Sequence, residues 1–227
     1  MNTALLKSQT PIARQMLASP KIYSYMEELK RFLDEESKRR EKFYETMDEQ
    51  RKVEFINGEI IMHSPVKIEH NTATVLISRL LGTYIDEHDL GMIGVEKLMI
   101  TLTRNDYEPD VCYFTKERAD EFEEGMMKFP APDFIVEVLS PSTEDRDRGV
   151  KFEDYEAHGV REYWIADPKR KTIEQYKLVR GKYTLIQKSG SGTVKSFTVK
   201  GFAMPVRAAF YRNENTQALR EMMLRGK

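Results

Sequence analysis

The segment DFIVEVL, residues 133–139, carries most of the information about the fold and the chemistry of this sequence. Apart from its first residue and Glu137 it is apolar, which is typical of a strand in the middle of a sheet. Because side chains alternate along a strand, Ile135, Glu137 and Leu139 share one face. A lone carboxylate between apolar neighbours is costly to bury unless a metal, a base or a raised pKa compensates it. Glu137 is therefore the first candidate site residue, with a structural ion pair to an arginine as the alternative.

The pattern on either side of this segment predicts an α/β layered domain. Apolar residues recur at helical spacing before and after it, and further strand-like runs stand between the helices. The predicted elements are, in order, a helix over 69–87, strands over 92–102, 110–114 and 133–139, a helix from Ser142 or Thr143 to about Gly159, and a strand over 161–167. This order predicts a small mixed sheet with helices on both faces.

Further elements precede this core. Residues 20–52 are highly charged and place apolar side chains at helical spacing, which predicts an N-terminal helical arm. Such an arm would pack on the domain or on a second copy of the chain. The dipeptide Asn57-Gly58 within VEFINGEIIM predicts a type I′ hairpin turn between two short strands.

The last quarter of the chain is strongly basic. From Lys177 to Lys227 there are eleven Lys and Arg against two acids, a net charge of +9, whereas residues 1–176 carry 25 bases and 35 acids, a net charge of −10. Basic regions attract nucleic-acid phosphates, since neutralised phosphates release counterions. A charged surface without a partner is the alternative. Two short strands are predicted around Arg180-Gly181-Lys182, with an irregular tail beyond.

We divide the chain into a helical extension over 1–42, the main domain over 43–205 and a basic tail over 206–227.

Composition excludes several classes of protein. With 40% hydrophobic and 32% charged residues in 227, the sequence is that of a folded globular protein. The N-terminal stretch lacks the apolar region of a signal peptide, and no apolar run is long enough to span a membrane. The single cysteine, Cys112, excludes an internal disulfide and a multi-cysteine zinc site. We therefore expect a cytoplasmic protein with no membrane partner.

Two further residues are expected to meet Glu137. Asp110 follows Pro109 and opens the strand that we expect beside the one carrying Glu137. Alone it would be a turn or cap residue, but two neighbouring carboxylates repel each other unless a cation lies between them. Oxygen ligands of this kind suit Mg²⁺ or Mn²⁺. Lys151 lies among apolar residues of the following helix, so its ammonium can point towards both acids; a lysine in solvent is the alternative.

Together these pieces resemble a known family. From about Phe43 to about Phe202 the chain is similar to the bacterial "putative restriction endonuclease" family of the PD-(D/E)XK nuclease superfamily. The segments that carry the resemblance are VEFINGEIIM, the helix start at His70, EPDVCYF, DFIVEVLSPST, DRGVKFEDYEAHGVREYWIADP and the QYKL strand. They follow one another in unbroken order.

The resemblance implies a restriction-endonuclease-like core and a metal-dependent endonuclease that hydrolyses phosphodiester bonds of nucleic acid, most simply DNA. Asp110 and Glu137 are then the two acids of the motif, and the carbonyl of Val138 is a further ligand of Mg²⁺ or Mn²⁺. One position departs from the parent motif, because Leu139 stands where the motif has its lysine. In the family this lysine is thought to have moved to the following helix, where Lys151 stands here.

Three supporting residues are weighed separately. His70 and Glu69 extend the apolar stripe of the first core helix backwards, so we expect both to face the sheet at the helix N-terminus, where an anion would gather. His70 would bind a phosphate or orient a metal-bound water, with a helix cap or core histidine as the alternative. Glu54 shares a hairpin face with Ile56 and Ile61. It is either a third acid of the metal cluster or a structural residue.

Two other functions compete with the nuclease hypothesis. The first is a non-catalytic nucleic-acid-binding protein that keeps the fold, which Leu139 in the lysine position favours. The second is a structural oligomer whose buried ions only specify packing. A homodimer is compatible with nuclease function, because a double-strand cut requires two active sites.

Overall fold

The structure is a computed structural model that describes residues 10–47 and 51–225. The α-helices of the described chain are α1 (Pro11–Ala18), α2 (Ile22–Thr46), α3 (Ile68–Glu87), α4 (Lys116–Ala119), α5 (Glu144–Arg148), α6 (Val150–Ala157) and α7 (Arg212–Arg225), with a 3-10 helix at Val206–Ala209. The strands are β1 (Val53–Ile56), β2 (Glu59–Met62), β3 (Gly91–Val95), β4 (Met99–Thr101), β5 (Asp106–Tyr107), β6 (Val111–Thr115), β7 (Lys128–Phe129), β8 (Phe134–Val138), β9 (Glu162–Asp167), β10 (Thr172–Val179), β11 (Lys182–Ser189), β12 (Thr193–Lys195) and β13 (Ala203–Pro205).

A six-stranded mixed sheet in the order β11-β10-β9-β8-β6-β3 forms the centre of the fold. Strand β8 pairs antiparallel with β6 and parallel with β9, so it is an inner strand buried along its whole length. The predicted order of helix, three strands, helix and strand is confirmed by α3, β3, β6, β8, α5–α6 and β9. Parallel pairing of β8 and β9 requires a crossover, which the two short helices provide.

Helices cover both faces of this sheet, as the predicted order of helices and strands implies. On one face α3 packs Ala73, Ile77 and Leu80 against side chains of β6 and β8 that include Val136. On the other face Ile135 packs with side chains of α6 and β9. The face of β8 that carries Ile135 also carries Glu137 and Leu139, so the acid lies under α6.

The hairpin β1–β2 has the predicted turn. Asn57 and Gly58 both have positive φ, 51° and 84°, as a type I′ turn requires. Phe55 is paired with Ile60, which is the register that a two-residue turn at Asn57-Gly58 gives. Strand β1 also joins a second, five-stranded sheet in the order β2-β1-β5-β4-β7. The hairpin therefore contributes its buried face to the same domain as the central sheet.

Two predicted elements are interrupted. The strand predicted over 92–102 divides into β3 and β4, which belong to different sheets, and Glu96 between them has a φ of 56°. The helix predicted to end near Gly159 divides into α5 and α6 at Gly149, where a Cβ would lie 2.7 Å from the Asp145 carbonyl oxygen. Hydrophobic periodicity continues across both breaks, so it does not reveal them.

The prediction of an irregular C-terminal tail is wrong. Helix α7 packs on the core, where Ala218 is buried and the Asn215 side-chain amide donates to the carbonyls of Leu76 and Ala208 at 2.8 and 2.9 Å. The mostly polar sequence hides this helix, because it is anchored by a few small or polar residues. The division at 42 and 205 stays a prediction, and residues 1–9, 48–50 and 226–227 lie outside the described residues.

Helix α2 confirms the N-terminal helical arm predicted within residues 20–52, and α1 precedes that range. Helix α2 reaches the domain through Phe43 and Glu36, which are buried. None of the helices in the described part of the chain combines the length and the apolar character needed to cross a bilayer.

Candidate active site

Asp110 and Glu137 lie side by side on adjacent strands. Val111 of β6 is paired with Val136 of β8, so Asp110, which immediately precedes β6, lies opposite Glu137 within β8. The backbone N–H of Asp110 points to Glu137 Oε2 at 3.4 Å, and the N–H of Val138 donates to Asp110 Oδ2 at 2.8 Å. Both carboxylates are buried. Two buried acids in contact require compensating positive charge.

Lys151 supplies part of that charge from α6. Its ammonium lies 3.0 Å from Glu137 Oε1, 2.8 Å from Glu54 Oε1 and 3.6 Å from Asp147 Oδ1, and only 2% of the residue is exposed. Burial alone would lower the pKa of Lys151, but Glu137, Glu54 and Asp147 raise it well above its usual value. Lys151 is therefore a permanently charged donor beneath the sheet.

Glu54 joins the same cluster from β1. Besides Lys151 it contacts His63, whose Nε2 lies 2.9 Å from Glu54 Oε2, and it accepts the backbone N–H of Glu108 at 3.0 Å. Burial alone would raise the pKa of Glu54, but Lys151 and His63 lower it to about 2. Glu54 stays ionised and ties the hairpin to the central sheet.

Glu137 is held in a contrasting environment. The hydroxyl of Tyr155 donates to its Oε1 at 2.9 Å, beside the ammonium of Lys151. Burial, together with the carboxylates of Asp147 and Asp110, outweighs the attraction of Lys151 and raises the pKa of Glu137 to about 8. The pKa of Asp110 is lowered instead: its burial is outweighed by the hydrogen bond from His70 and the charge of Lys52. The two acids thus have pKa values on opposite sides of their usual range.

His70 and Glu69 have different surroundings, although both were expected to face the sheet. His70 is buried in the first turn of α3, with Nε2 3.2 Å from Asp110 Oδ2, and its Nδ1 has no hydrogen-bond partner among the described residues. Glu69 is exposed, so the orientation predicted for it is wrong. Successive helix residues are rotated by about 100°, and at the start of α3 it is His70, not Glu69, that lies on the side facing Asp110.

A group of possible metal ligands surrounds Asp110. His70, Glu96 and Asp110 each offer one ligand atom, and these three atoms all lie within 4.8 Å of one another. Two carboxylates and an imidazole are donors that divalent cations accept, so this donor set fits such an ion. Glu137 lies next to this group through Asp110, but its Oε1 is engaged by Lys151 and Tyr155. The Val138 carbonyl remains a predicted ligand.

The cluster also contains four residues that were not expected from the sequence, namely Lys52, His63, Glu96 and Asp147. Lys52 contacts Glu96 at 3.0 Å and Asp110 at 3.2 Å, and His63 contacts Glu54. Asp147 is buried, and neither of its carboxylate oxygens has a hydrogen-bond partner among the described residues. Only Asp147 had a usable signal, because it stands four residues before Lys151 and thus on the same helix face.

The cluster opens into a cavity of about 720 Å³. Its walls include Asp110, Glu137 and Lys151 from the cluster, with Ser142 and Arg146 from the loop and helix after β8. The cavity is therefore lined by carboxylates at its base and by hydroxyl and cationic groups at its edge.

The fold and this cluster define an α/β protein of the restriction-endonuclease-like class, with acids on two adjacent strands and a lysine from a covering helix. A model of the Uma2 family, described as "Putative restriction endonuclease", matches residues 39–207. The chain belongs to this family.

The chain is also similar to individual proteins and to a solved structure. The Synechocystis protein sll1609 is 30% identical over 137 residues, which cover 60% of this chain and 77% of the relative. The Synechocystis protein slr1290 is 31% identical over 128 residues, 55% of this chain and 65% of the relative. A crystal structure described as a putative nuclease belonging to DUF820 from Anabaena variabilis is similar in fold, with a TM-score of 0.64, 18% identity and coverage of 74% of this chain and 94% of that one.

Proposed function

We propose that this protein is a metal-dependent endonuclease that hydrolyses phosphodiester bonds of nucleic acid, with DNA as substrate. The observation that carries the proposal is the contact of the Lys151 ammonium with Glu137, next to Asp110, at the base of an open cavity. Family membership supports the same reaction class. A purely structural ion cluster would have no need of a cavity lined by its charged groups.

The residues proposed to hold Mg²⁺ or Mn²⁺ are Asp110, Glu137 and the carbonyl of Val138, to which the geometry adds His70 and Glu96. A bound divalent cation supplies Lewis-acid polarisation of a phosphoryl oxygen and a lowered pKa for water. Lys151 cannot act as a base, because its raised pKa keeps it protonated. Its role is to stabilise negative charge that develops on the phosphoryl group. Glu54 holds Lys151 in place for that purpose.

The competing hypothesis is a nucleic-acid-binding protein without catalysis. Its main support is Leu139, which stands in the lysine position of the motif. In the structure Leu139 is buried in the core beneath α6, and the ammonium of Lys151 reaches Glu137 from that helix. A lysine supplied by the helix therefore contacts the second acid directly, which favours the nuclease.

We place the substrate backbone on the exposed basic residues of β10 to β12 and the loop that follows, namely Lys177, Arg180, Lys182, Lys188, Lys195 and Lys200.

The decisive experiment is nicking of supercoiled plasmid by purified protein with Mg²⁺, with Mn²⁺ and with a chelator. Wild-type protein should nick the plasmid only with a divalent cation, and the nicking activity of Asp110→Asn and of Lys151→Met should be lower by about 100-fold or more. Asp34→Asn, an exposed aspartate on α2, is the matched control and should retain full activity. Equal nicking by wild-type protein and Asp110→Asn would rule out the proposed site. Salt-sensitive DNA binding with no cleavage in any metal would favour the binding protein instead.

We further infer that two copies associate through the arm, since cleavage of both strands needs two sites. Tyr23, Met26, Leu29, Phe32 and Leu33 of α2 are large apolar side chains that are each 47–78% exposed. An exposed apolar surface of this extent marks an interface. Sedimentation velocity should show a dimer for wild-type protein and a monomer for Leu29→Glu; a wild-type monomer at all concentrations would contradict the inference.

A further inference from the structure

Lys52 contacts two of the three residues in the group of possible metal ligands. Its ammonium is 3.0 Å from Glu96 Oε2 and 3.2 Å from Asp110 Oδ1, and these residues form the group together with His70. We propose that the ammonium of Lys52 occupies the cation position between Asp110 and Glu96, that a divalent cation must displace it, and that the displaced ammonium then faces the cavity as a phosphate-binding group. This inference rests on the proposed function only in requiring that the site takes a divalent cation.

The first reason is electrostatic. Asp110 is almost fully buried and needs a positive partner, and Lys52 gives it one without any metal. A divalent cation bound to the same two carboxylates would lie beside the ammonium of Lys52. The two positive charges would repel each other strongly in a partly buried site. The two cations therefore compete for the same oxygens.

The second reason is that Lys52 can leave, whereas Lys151 cannot. The Lys52 side chain is 17% exposed and lines the cavity of about 720 Å³, so its ammonium has a solvated place to move to. The Lys151 side chain is only 3% exposed and is surrounded by Glu54, Glu137 and Asp147. The two lysines thus have separate roles, with Lys151 fixed beside Glu137 and Lys52 exchangeable with metal.

The third reason concerns what Lys52 would meet after displacement. Ser142 and Arg146 also line the cavity. An ammonium that enters this space adds to a set of hydroxyl and cationic groups suited to a phosphate oxygen. Metal binding and substrate binding would then support each other, because the cation releases a group that the substrate uses.

Isothermal titration with MnCl₂ alone tests the competition. Lys52→Met removes the competing charge and should tighten Mn²⁺ binding by about tenfold or more. Lys52→Arg keeps the charge and should stay within about threefold of wild-type affinity. The matched control is Lys67→Met, an exposed lysine of the same cavity, which should change affinity far less than Lys52→Met. Asp110→Asn should abolish binding in both the wild-type and the Lys52→Met background.

If Lys52→Met binds Mn²⁺ no more tightly than Lys67→Met, the competition is refuted, whatever the nicking assay shows. If wild-type protein neither binds Mn²⁺ nor nicks plasmid while Lys52→Met binds no metal either, the proposed function fails as well. Should Lys52→Met not fold, an NMR spectrum of the lysine ammonium groups of wild-type protein replaces it. Mg²⁺ should shift or broaden the Lys52 signal and leave that of Lys151 in place; an unchanged Lys52 signal at saturating Mg²⁺ overturns the proposal.

Discussion

The ammonium of Lys151 and the carboxylate of Glu137 meet at 3.0 Å, both almost fully buried, although one residue comes from a helix and the other from a central strand. A buried lysine and a buried acid stabilise the fold only as a pair. Their contact therefore makes the stability of the domain depend on the same residues as the proposed chemistry.

Lys151→Met should lower the free energy of unfolding by about 3–5 kcal/mol, because it leaves Glu54, Glu137 and Asp147 without their shared cation. Urea denaturation followed by the fluorescence of Trp164, the single tryptophan, measures this directly. Lys182→Met removes an exposed ion pair with Glu156 and should have no measurable effect. Equal stability of the two variants would contradict the buried role of Lys151.

Leu139→Lys tests whether the position of the lysine or only its charge near Glu137 matters. In the Lys151→Met background we expect nicking to fall by about 100-fold or more. Because Leu139 shares a strand face with Glu137, a lysine at 139 should restore part of that activity. No recovery, in a double variant shown to be folded, would mean that the helix position itself is required.

Glu137→Gln should change how stability depends on pH. The pKa of Glu137 is raised from 4.5 to about 8 in the folded protein, so the folded state binds more protons than the unfolded state between these values. Stability of the metal-free protein should therefore fall as pH rises from about 5 to about 8, and part of this slope should disappear in Glu137→Gln. Unfolding in urea with a chelator at several pH values gives both slopes. Parallel slopes would show that Glu137 does not titrate in this range.

Glu162 anchors the C-terminal strands to the sheet through hydrogen bonds. Its carboxylate accepts hydrogen bonds from Trp164 Nε1 (2.6 Å), Gln175 Nε2 (2.7 Å), Ser196 Oγ (2.7 Å), Phe197 N (2.8 Å) and Thr198 N (3.0 Å). Glu162→Ala removes the acceptor of Trp164 Nε1, Ser196 Oγ and Phe197 N, whereas Gln175 and Thr198 keep a second acceptor, and the change should cost about 3 kcal/mol or more. Trp164 emission should shift in the same variant, because its indole loses its partner. A stable variant with unchanged emission would contradict this account.

Neutralising exposed basic residues of β10 to β12 and the loop that follows should weaken DNA binding in a salt-dependent way. The double variant Arg180→Gln, Lys200→Gln should reduce the slope of log K against log salt by roughly 0.9 for each phosphate that the variant no longer neutralises. Fluorescence anisotropy with a labelled duplex at several salt concentrations measures the slope. Lys38→Gln on α2, also an exposed base, is the control and should leave the slope unchanged. The same slope for all three proteins would place the nucleic acid elsewhere.

The sequence alone was sufficient for the features that local periodicity encodes. Alternation along DFIVEVL placed Glu137 on a buried face, helical spacing defined α3, and Asn57-Gly58 fixed the hairpin that carries Glu54. The contact of Asp110 with Glu137 followed from the pairing of adjacent strands. These features depend on neighbours along the chain or on one strand pair, so a single sequence contains them.

Long-range contacts determined the rest. Lys52 contacts Asp110 although the two residues are 58 positions apart. Glu96 lies near Asp110 because its own backbone is left-handed, which breaks a run of residues that resembles one strand. The exposure of Glu69 and the packing of α7 likewise depend on rotation and docking of whole helices. Charge attraction acts through space and leaves no period in the sequence, so the second lysine of the cluster became visible only in three dimensions.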